Sequence, residues 1–170
     1  AAPCRWIVAH DLTITGSIGV IMQSYNWRGL LDKLGVSPQV FKSGAMKDMM
    51  SPDKRESEIS VEERRIVQDL VDETFERFQG VIEEGRGLAE ARNEDNPGEE
   101  ADHGRSLAKN WKDYADGRLL SGKDAWKLGM VDELGDFSTA VQRALKLAGV
   151  DEARVVQYLR PPSFGSLFRL

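Results

Sequence analysis

The stretch from Ser60 to Glu84 constrains the fold of this chain more than any other. Ser60 and Glu63 have the S-x-x-E spacing of a capping box, in which each side chain satisfies a backbone amide that the first helical turn leaves unpaired. Behind it Ile66, Val67, Leu70, Val71, Phe75, Phe78, Val81 and Ile82 recur at helical spacing. A helix from Val61 to about Glu84 is predicted. Its apolar stripe reads first as a core face, and a contact between subunits is compatible with it.

Upstream, Trp6 to Ala9 and Leu12 to Met22 ("LTITGSIGVIM") are β-branched and apolar, and predict buried strand with a turn or bulge at Gly16 and Gly19. "NWRGLLDKLG" offers Asn26 as a cap, apolar Trp27, Leu30, Leu31 and Leu34, and Gly35 as a stop, which predicts a short helix. "PQVFKSG" then predicts a strand. Strand, helix, strand implies a βαβ crossover, a parallel sheet and an α/β class.

Downstream, the acidic stretch Glu90 to Gly104 predicts an exposed loop or a disordered insertion. A short helix is expected near Leu107 to Asp113, and another between the Ser121 cap and the Gly129 stop. "MVDELG" reads as a short strand and turn, Phe137 to Ala148 as an amphipathic helix ended by Gly149, and "ARVVQYL" as a last strand. No internal repeat is present.

With 170 residues, 41% of them hydrophobic and 30% charged, the chain reads as one soluble globular domain. A net charge of -5, with both signs mixed along the chain, argues against nucleic-acid binding. Cys4, His10 and His103 are too few and too scattered for a metal site, and no metal or cofactor is expected. No apolar run is long enough to span a bilayer, and the start lacks the layout of a signal peptide. The opening "AAPCRWIVAH" runs into apolar strand without a polar lead-in, like the middle of a fold.

Lys47, in "FKSGAMKDMMSP", lies among Gly44, Ala45, Met46, Met49 and Met50, where a loop more commonly carries polar residues. A lysine acts as a base only when its ammonium form is destabilised, and apolar surroundings do this by removing hydration. Such an amine could activate a hydroxyl nucleophile. From the residues alone, a solvated lysine, or one paired with Asp48, is the commoner outcome. Ser17, between two glycines in "TGSIGV", is either an orienting hydrogen-bond group for such a base or a small residue satisfied by backbone, the second being commoner. Asp132 and Glu133 are adjacent on a short strand and so point apart, which favours turn or capping roles over an acid pair. Gly16 and Gly19 do not fit a phosphate loop, and Met46, Met49 and Met50 read as packing.

Three segments together, "LTITGSIGVIMQ", "LLDKLGVSPQVFKSGAMKDMMSP" and "YADGRLLSGKDAWKLGMVDELG", resemble the signal peptide peptidase SppA family, peptidase family S49. The resemblance covers roughly residues 6 to 86 and 114 to 148. It implies an incomplete crotonase-like (ClpP-like) ββα-spiral fold, with residues 1–150 the C-terminal portion of a peptidase domain, 90–104 an insertion, and 151–170 a strand and tail. It implies a serine endopeptidase with a Ser-Lys dyad, in which Lys47 is the general base and Ser17 orients it. Counting back from Ser17 by the family's spacing of about twenty residues places the nucleophile serine before Ala1, so the isolated chain is expected to be inactive. The opening "AAPCRW" departs from the family pattern, with Pro3 where helix is expected.

The resemblance further implies peptide substrates such as signal peptide remnants, a homo-oligomer, a bacterial envelope location and membrane association only through upstream sequence. A non-catalytic pseudo-peptidase, keeping the fold for assembly, is the rival from another class. An acyl-CoA protein of the crotonase fold is disfavoured by "SGAMKD".

Overall fold

The computed structural model describes residues 1–94 and 103–158. Strand β1 (Val8–Ala9) pairs in parallel with β4 (Glu133–Leu134), and β2 (Ile14–Gly16) pairs antiparallel with β3 (Leu119–Ser121). Helix α1 (Arg28–Lys33) follows β2, helix α2 (Val61–Glu94) crosses the molecule, α3 (Gly122–Lys127) follows β3, and α4 (Phe137–Ala148) closes the described chain. Helices and two small two-stranded sheets give an α/β class.

The local punctuation forms as the residues dictate. Ser60 Oγ accepts the Glu63 amide at 3.1 Å, and Glu63 Oε2 accepts the Ser60 amide at 2.8 Å, so the capping box is reciprocal. Ser121 caps α3 by accepting the Asp124 amide, and α4 ends at Gly149 in the left-handed region at φ 65°. Asn26 Oδ1 accepts the Arg28 amide at 2.9 Å at the start of α1.

Helix α2 runs ten residues past the predicted stop. At 34 residues it is about 51 Å long and takes in the first part of the acidic stretch; residues 95–102 of that stretch lie outside the described residues. Its second half buries Ile82, Gly85, Arg86, Ala89 and Asn93, one face at helical spacing built from residue types that hydropathy passes over. Gly85 is required there: a Cβ would stand 2.6 Å from the Ala2 carbonyl carbon. Ile82 belongs to the core with Ile18, Trp111 and Ala115, and Phe75, Leu107 and Met130 pack on that cluster. The stripe is thus a core face in its second half, while Leu70 and Val61 stay exposed nearer the start.

The strand expectations need correction. Leu12 to Met22 is not a buried strand: only Ile14–Gly16 pairs, along one edge, and Leu12 and Ile21 are 77% and 84% exposed. "PQVFKSG" forms no strand among the described residues, so the expected βαβ crossover is absent and the strands pair two by two. A strand needs a neighbour to receive its backbone groups, and pattern alone does not supply one. The helix expected at Leu107 to Asp113 is a single 3-10 turn, Trp111–Tyr114. Residues 153–158 of the expected last strand form no strand among the described residues, and Leu159 lies outside them with the tail.

A buried ion pair locks these pieces together. Arg86 and Asp132 have side chains 3% and 0% exposed, and the guanidinium donates to both carboxylate oxygens, at 3.0 Å to Oδ2. Asp132 also accepts the amides of Ile7 at 2.8 Å and Arg105 at 3.0 Å, and Arg86 donates to the carbonyls of Gly129 and Arg105. One carboxylate thus ties α2, the entry to β1, the 103–105 segment and the entry to β4. Asp132 is thus no acid pair with Glu133; it accepts backbone amides, as a turn or capping residue would, and in addition holds a buried guanidinium.

Candidate active site

The loop that carries Lys47 is a succession of tight turns. The amide of Lys47 donates to Gly44 O at 3.1 Å, that of Met49 to Met46 O at 3.1 Å, and that of Ser51 to Asp48 O at 3.0 Å. Its far end is tied to the start of α1, where the Trp27 amide donates to Pro52 O and Asn26 Nδ2 to Lys54 O. Lys47 itself is exposed, and its side chain makes no hydrogen bond or ion pair among the described residues. The apolar neighbours in sequence therefore do not bury it here.

Asp48, the partner that would make Lys47 an ordinary ion-paired lysine, is engaged elsewhere. Both of its oxygens accept from Lys42 Nζ at 2.9 Å, and Lys54 Nζ stands 3.4 Å from Oδ1. Lys54 in turn lies 2.5 Å from Glu63 Oε1, with side chains 11% and 4% exposed. The chain of charges Lys42, Asp48, Lys54, Glu63 thereby runs from the Lys47 loop to the capping box of α2. The Lys42 hydrogen bond holds the Asp48 carboxyl below its ordinary range. The Lys54 hydrogen bond does the same to Glu63, and Glu63 raises the Lys54 ammonium in return.

Ser17 sits just past β2, exposed rather than buried, with its amide donating to Arg118 O at 2.8 Å. Its φ is 50°, after Gly16 at 78°, so the chain takes two left-handed residues in succession. A non-glycine residue pays for that conformation with contact between Cβ and backbone, and such residues concentrate at functional sites. The other described non-glycine residue with positive φ is Met50, at 63°. One therefore falls in each of the two segments that the sequence singles out.

No hydrogen bond joins Ser17 to Lys47 among the described residues. A groove nonetheless brings the segments that follow them together. Met22 and Ser24 line it from one side, Met49 and Met50 from the other, and Ile59 and Val67 from α2 and its entry, around a volume of about 680 Å³. Met49 and Met50 are packing residues of this groove, as expected of flexible apolar side chains. Among the described residues, no group of His, Cys, Asp or Glu could hold a metal ion. The charged chain from Lys42 to Glu63 had no signature in the sequence beyond the capping box at its end.

The sequence model of peptidase family S49 matches residues 1–97 and 99–151, nearly the whole chain. The chain belongs to peptidase family S49. This S49 chain is 39% identical over 155 residues to "Putative protease slr0021" of Synechocystis, covering 91% of itself and 48% of that protein. It is 38% identical over 152 residues to "Putative signal peptide peptidase SppA" of Enterococcus faecium, covering 89% of itself and 38% of that protein. It is also 24% identical over 158 residues to "Serine protease SPPA, chloroplastic" of Arabidopsis thaliana, covering 91% of itself and 20% of that protein. The S49 chain thus spans about half or less of the length of these relatives. No helix among its described residues is long and apolar enough to cross a membrane.

Proposed function

We propose that this chain forms the lysine-bearing part of a Ser-Lys endopeptidase site of the signal peptide peptidase type, within a crotonase-like ββα-spiral domain. Membership of family S49 supports the protease class, and the observation that carries Lys47 is the capture of Asp48 by Lys42 and Lys54, which leaves the candidate base without a counter-ion among the described residues. The nucleophile in this reading is a serine from the portion of the protease upstream of Ala1.

The chemistry follows from a neutral amine. Lys47 Nζ takes the proton of the serine hydroxyl as the oxygen attacks the scissile carbonyl carbon. The resulting ammonium gives that proton to the leaving amine as the C–N bond breaks and an acyl-serine remains; the neutral amine then takes a proton from the water that attacks the acyl carbon and returns it to the serine oxygen as the ester C–O bond breaks. The Ser17 hydroxyl holds Lys47 in line for each transfer. Lys47 is exposed in this chain, so the desolvation that favours a neutral amine is supplied in the assembled site by the upstream portion and the bound peptide.

Peptides released from signal sequences are the proposed substrates, a homo-oligomer the proposed assembly, and the bacterial envelope the proposed location, with any anchor upstream. A name of the signal peptide peptidase type on the relative from Enterococcus faecium supports the substrate class. The test is peptide hydrolysis by the complete protease. Lys47→Ala is expected to abolish turnover with the fold retained, and Ser17→Ala to reduce it less severely. Equal turnover by wild type and Lys47→Ala would overturn the assignment.

A further inference from the structure

The proposed base stands next to an acid, and that adjacency is a hazard. A free carboxylate within about 4–6 Å of an amine stabilises its charged form and moves its pKa by roughly 1–3 units. Each unit lowers the neutral fraction at pH 7 about tenfold. Asp48 follows Lys47 on the same turn and is the acid adjacent to it in sequence. Its oxygens are engaged instead by Lys42 at 2.9 Å and by Lys54 at 3.4 Å.

We propose that Lys42 and Lys54 are positioning residues of this site: by holding Asp48 they deny Lys47 a carboxylate partner and keep its amine able to give up its proton. The inference rests on the reading of Lys47 as the base. The charged groups packed around the loop support it. Lys42 also donates to Ala45 O at 3.1 Å, which ties its ammonium to the turn that carries Lys47. Lys54 is also paired with Glu63, so its ammonium is shared between the two carboxylates. On the first turns of α2, Arg64 is paired with Glu56 and Arg65 with Glu62 at 2.9 Å, and Asp53 accepts from Ser51 Oγ. Within the chain Lys42, Asp48, Lys54 and Glu63, two cations match two carboxylates. Lys47 is left over by this pairing.

Lys47 would be followed directly in the complete protease by NMR titration of the 13Cε signals of 13C-labelled lysine, a probe that leaves every ammonium its three N–H donors. The Lys47 signal is assigned by its loss in Lys47→Arg. In Lys42→Met/Lys54→Met the freed Asp48 is expected to raise the Lys47 midpoint by about one unit or more. Adding Asp48→Asn is expected to bring it back down, and Lys42→Arg/Lys54→Arg to leave it at the wild-type value. A midpoint unchanged in the Met double variant overturns the proposal. Should that variant not fold, Lys42→Met alone removes a side chain that is 37% exposed. It is expected to give a smaller upward shift, and no shift there overturns the proposal equally. Failure of the underlying reading is seen separately, as peptidase activity that survives Lys47→Ala in the complete protease.

Discussion

Ser17 and Met50 hold a backbone conformation that glycine would hold more cheaply, and Ser17 carries the clearer test. Relief of the left-handed strain is worth roughly 1–2 kcal/mol, while the extra freedom glycine gives the unfolded chain costs about 0.5–1 kcal/mol. Ser17→Gly is therefore expected to stabilise this chain by about 0.5–1 kcal/mol in urea unfolding, and to lower turnover in the complete protease as Ser17→Ala does. Destabilisation by 1 kcal/mol or more would show that the hydroxyl is a structural anchor instead. The sequence pointed to Ser17 and Lys47 through their glycine- and methionine-rich surroundings; it placed Ser17 in a buried strand, and it gave a solvated or Asp48-paired Lys47 as the commoner outcome. Lys47 is exposed, and Asp48 is paired elsewhere. Apolar neighbours along the chain bury a side chain only if they fold over it, and Met49 and Met50 turn toward the groove instead. Asp48 could not be assigned its partners from sequence either, because Lys42 and Lys54 each lie six residues away along an irregular loop.

At the scale of elements, the charges that join the Lys47 loop to α2 give the junction a defined pH window. Asp48 and Glu63 titrate below their ordinary values of 3.8 and 4.5, so their contribution is present above those values and is lost as pH falls through the lowered ones. Lys54 titrates above its ordinary 10.5, so its contribution is present below that value and is lost as pH rises through the raised one. Amide hydrogen exchange of residues 47–51, corrected for intrinsic rates, is expected to show constant protection between about pH 5 and 9 and a loss of protection below about pH 4. Protection that falls steadily from neutral pH would contradict the clamp. Ser60→Ala, which removes one arm of the capping box, is expected to cost about 1 kcal/mol in urea unfolding. Helix starts and stops were legible because Ser60, Ser121 and Gly149 act on their own neighbours. Strand pairing was not, since β1 finds β4 across more than a hundred residues and "PQVFKSG" finds no neighbour among the described residues. The true extent of α2 was hidden for a third reason: its last turns are buried through Gly85, Arg86 and Asn93, which a hydropathy pattern counts as surface.

Across the whole molecule, the Arg86–Asp132 pair joins α2 to the entries of β1 and β4 and to the 103–105 segment. Asp132→Ala leaves a buried guanidinium without its counter-ion and is expected to cost about 3–5 kcal/mol in urea unfolding. Arg86→Met/Asp132→Leu removes both charges and is expected to regain part of that loss, but not all, because the Ile7 and Arg105 amides lose their acceptor. Full recovery would show that those two amides find other acceptors. Phe41, Ile21 and Leu12 lie outside the core, 94%, 84% and 77% exposed, and in the proposed assembly the upstream portion of the domain and neighbouring subunits cover this segment. The central claim is that Lys47 activates a serine supplied by that upstream portion. Fluorophosphonate labelling of the complete protease tests it most directly, because the probe reacts only with an activated hydroxyl. A serine is expected to be labelled in wild type and unlabelled in Lys47→Ala; labelling that persists unchanged in Lys47→Ala would overturn the role of Lys47 as its base.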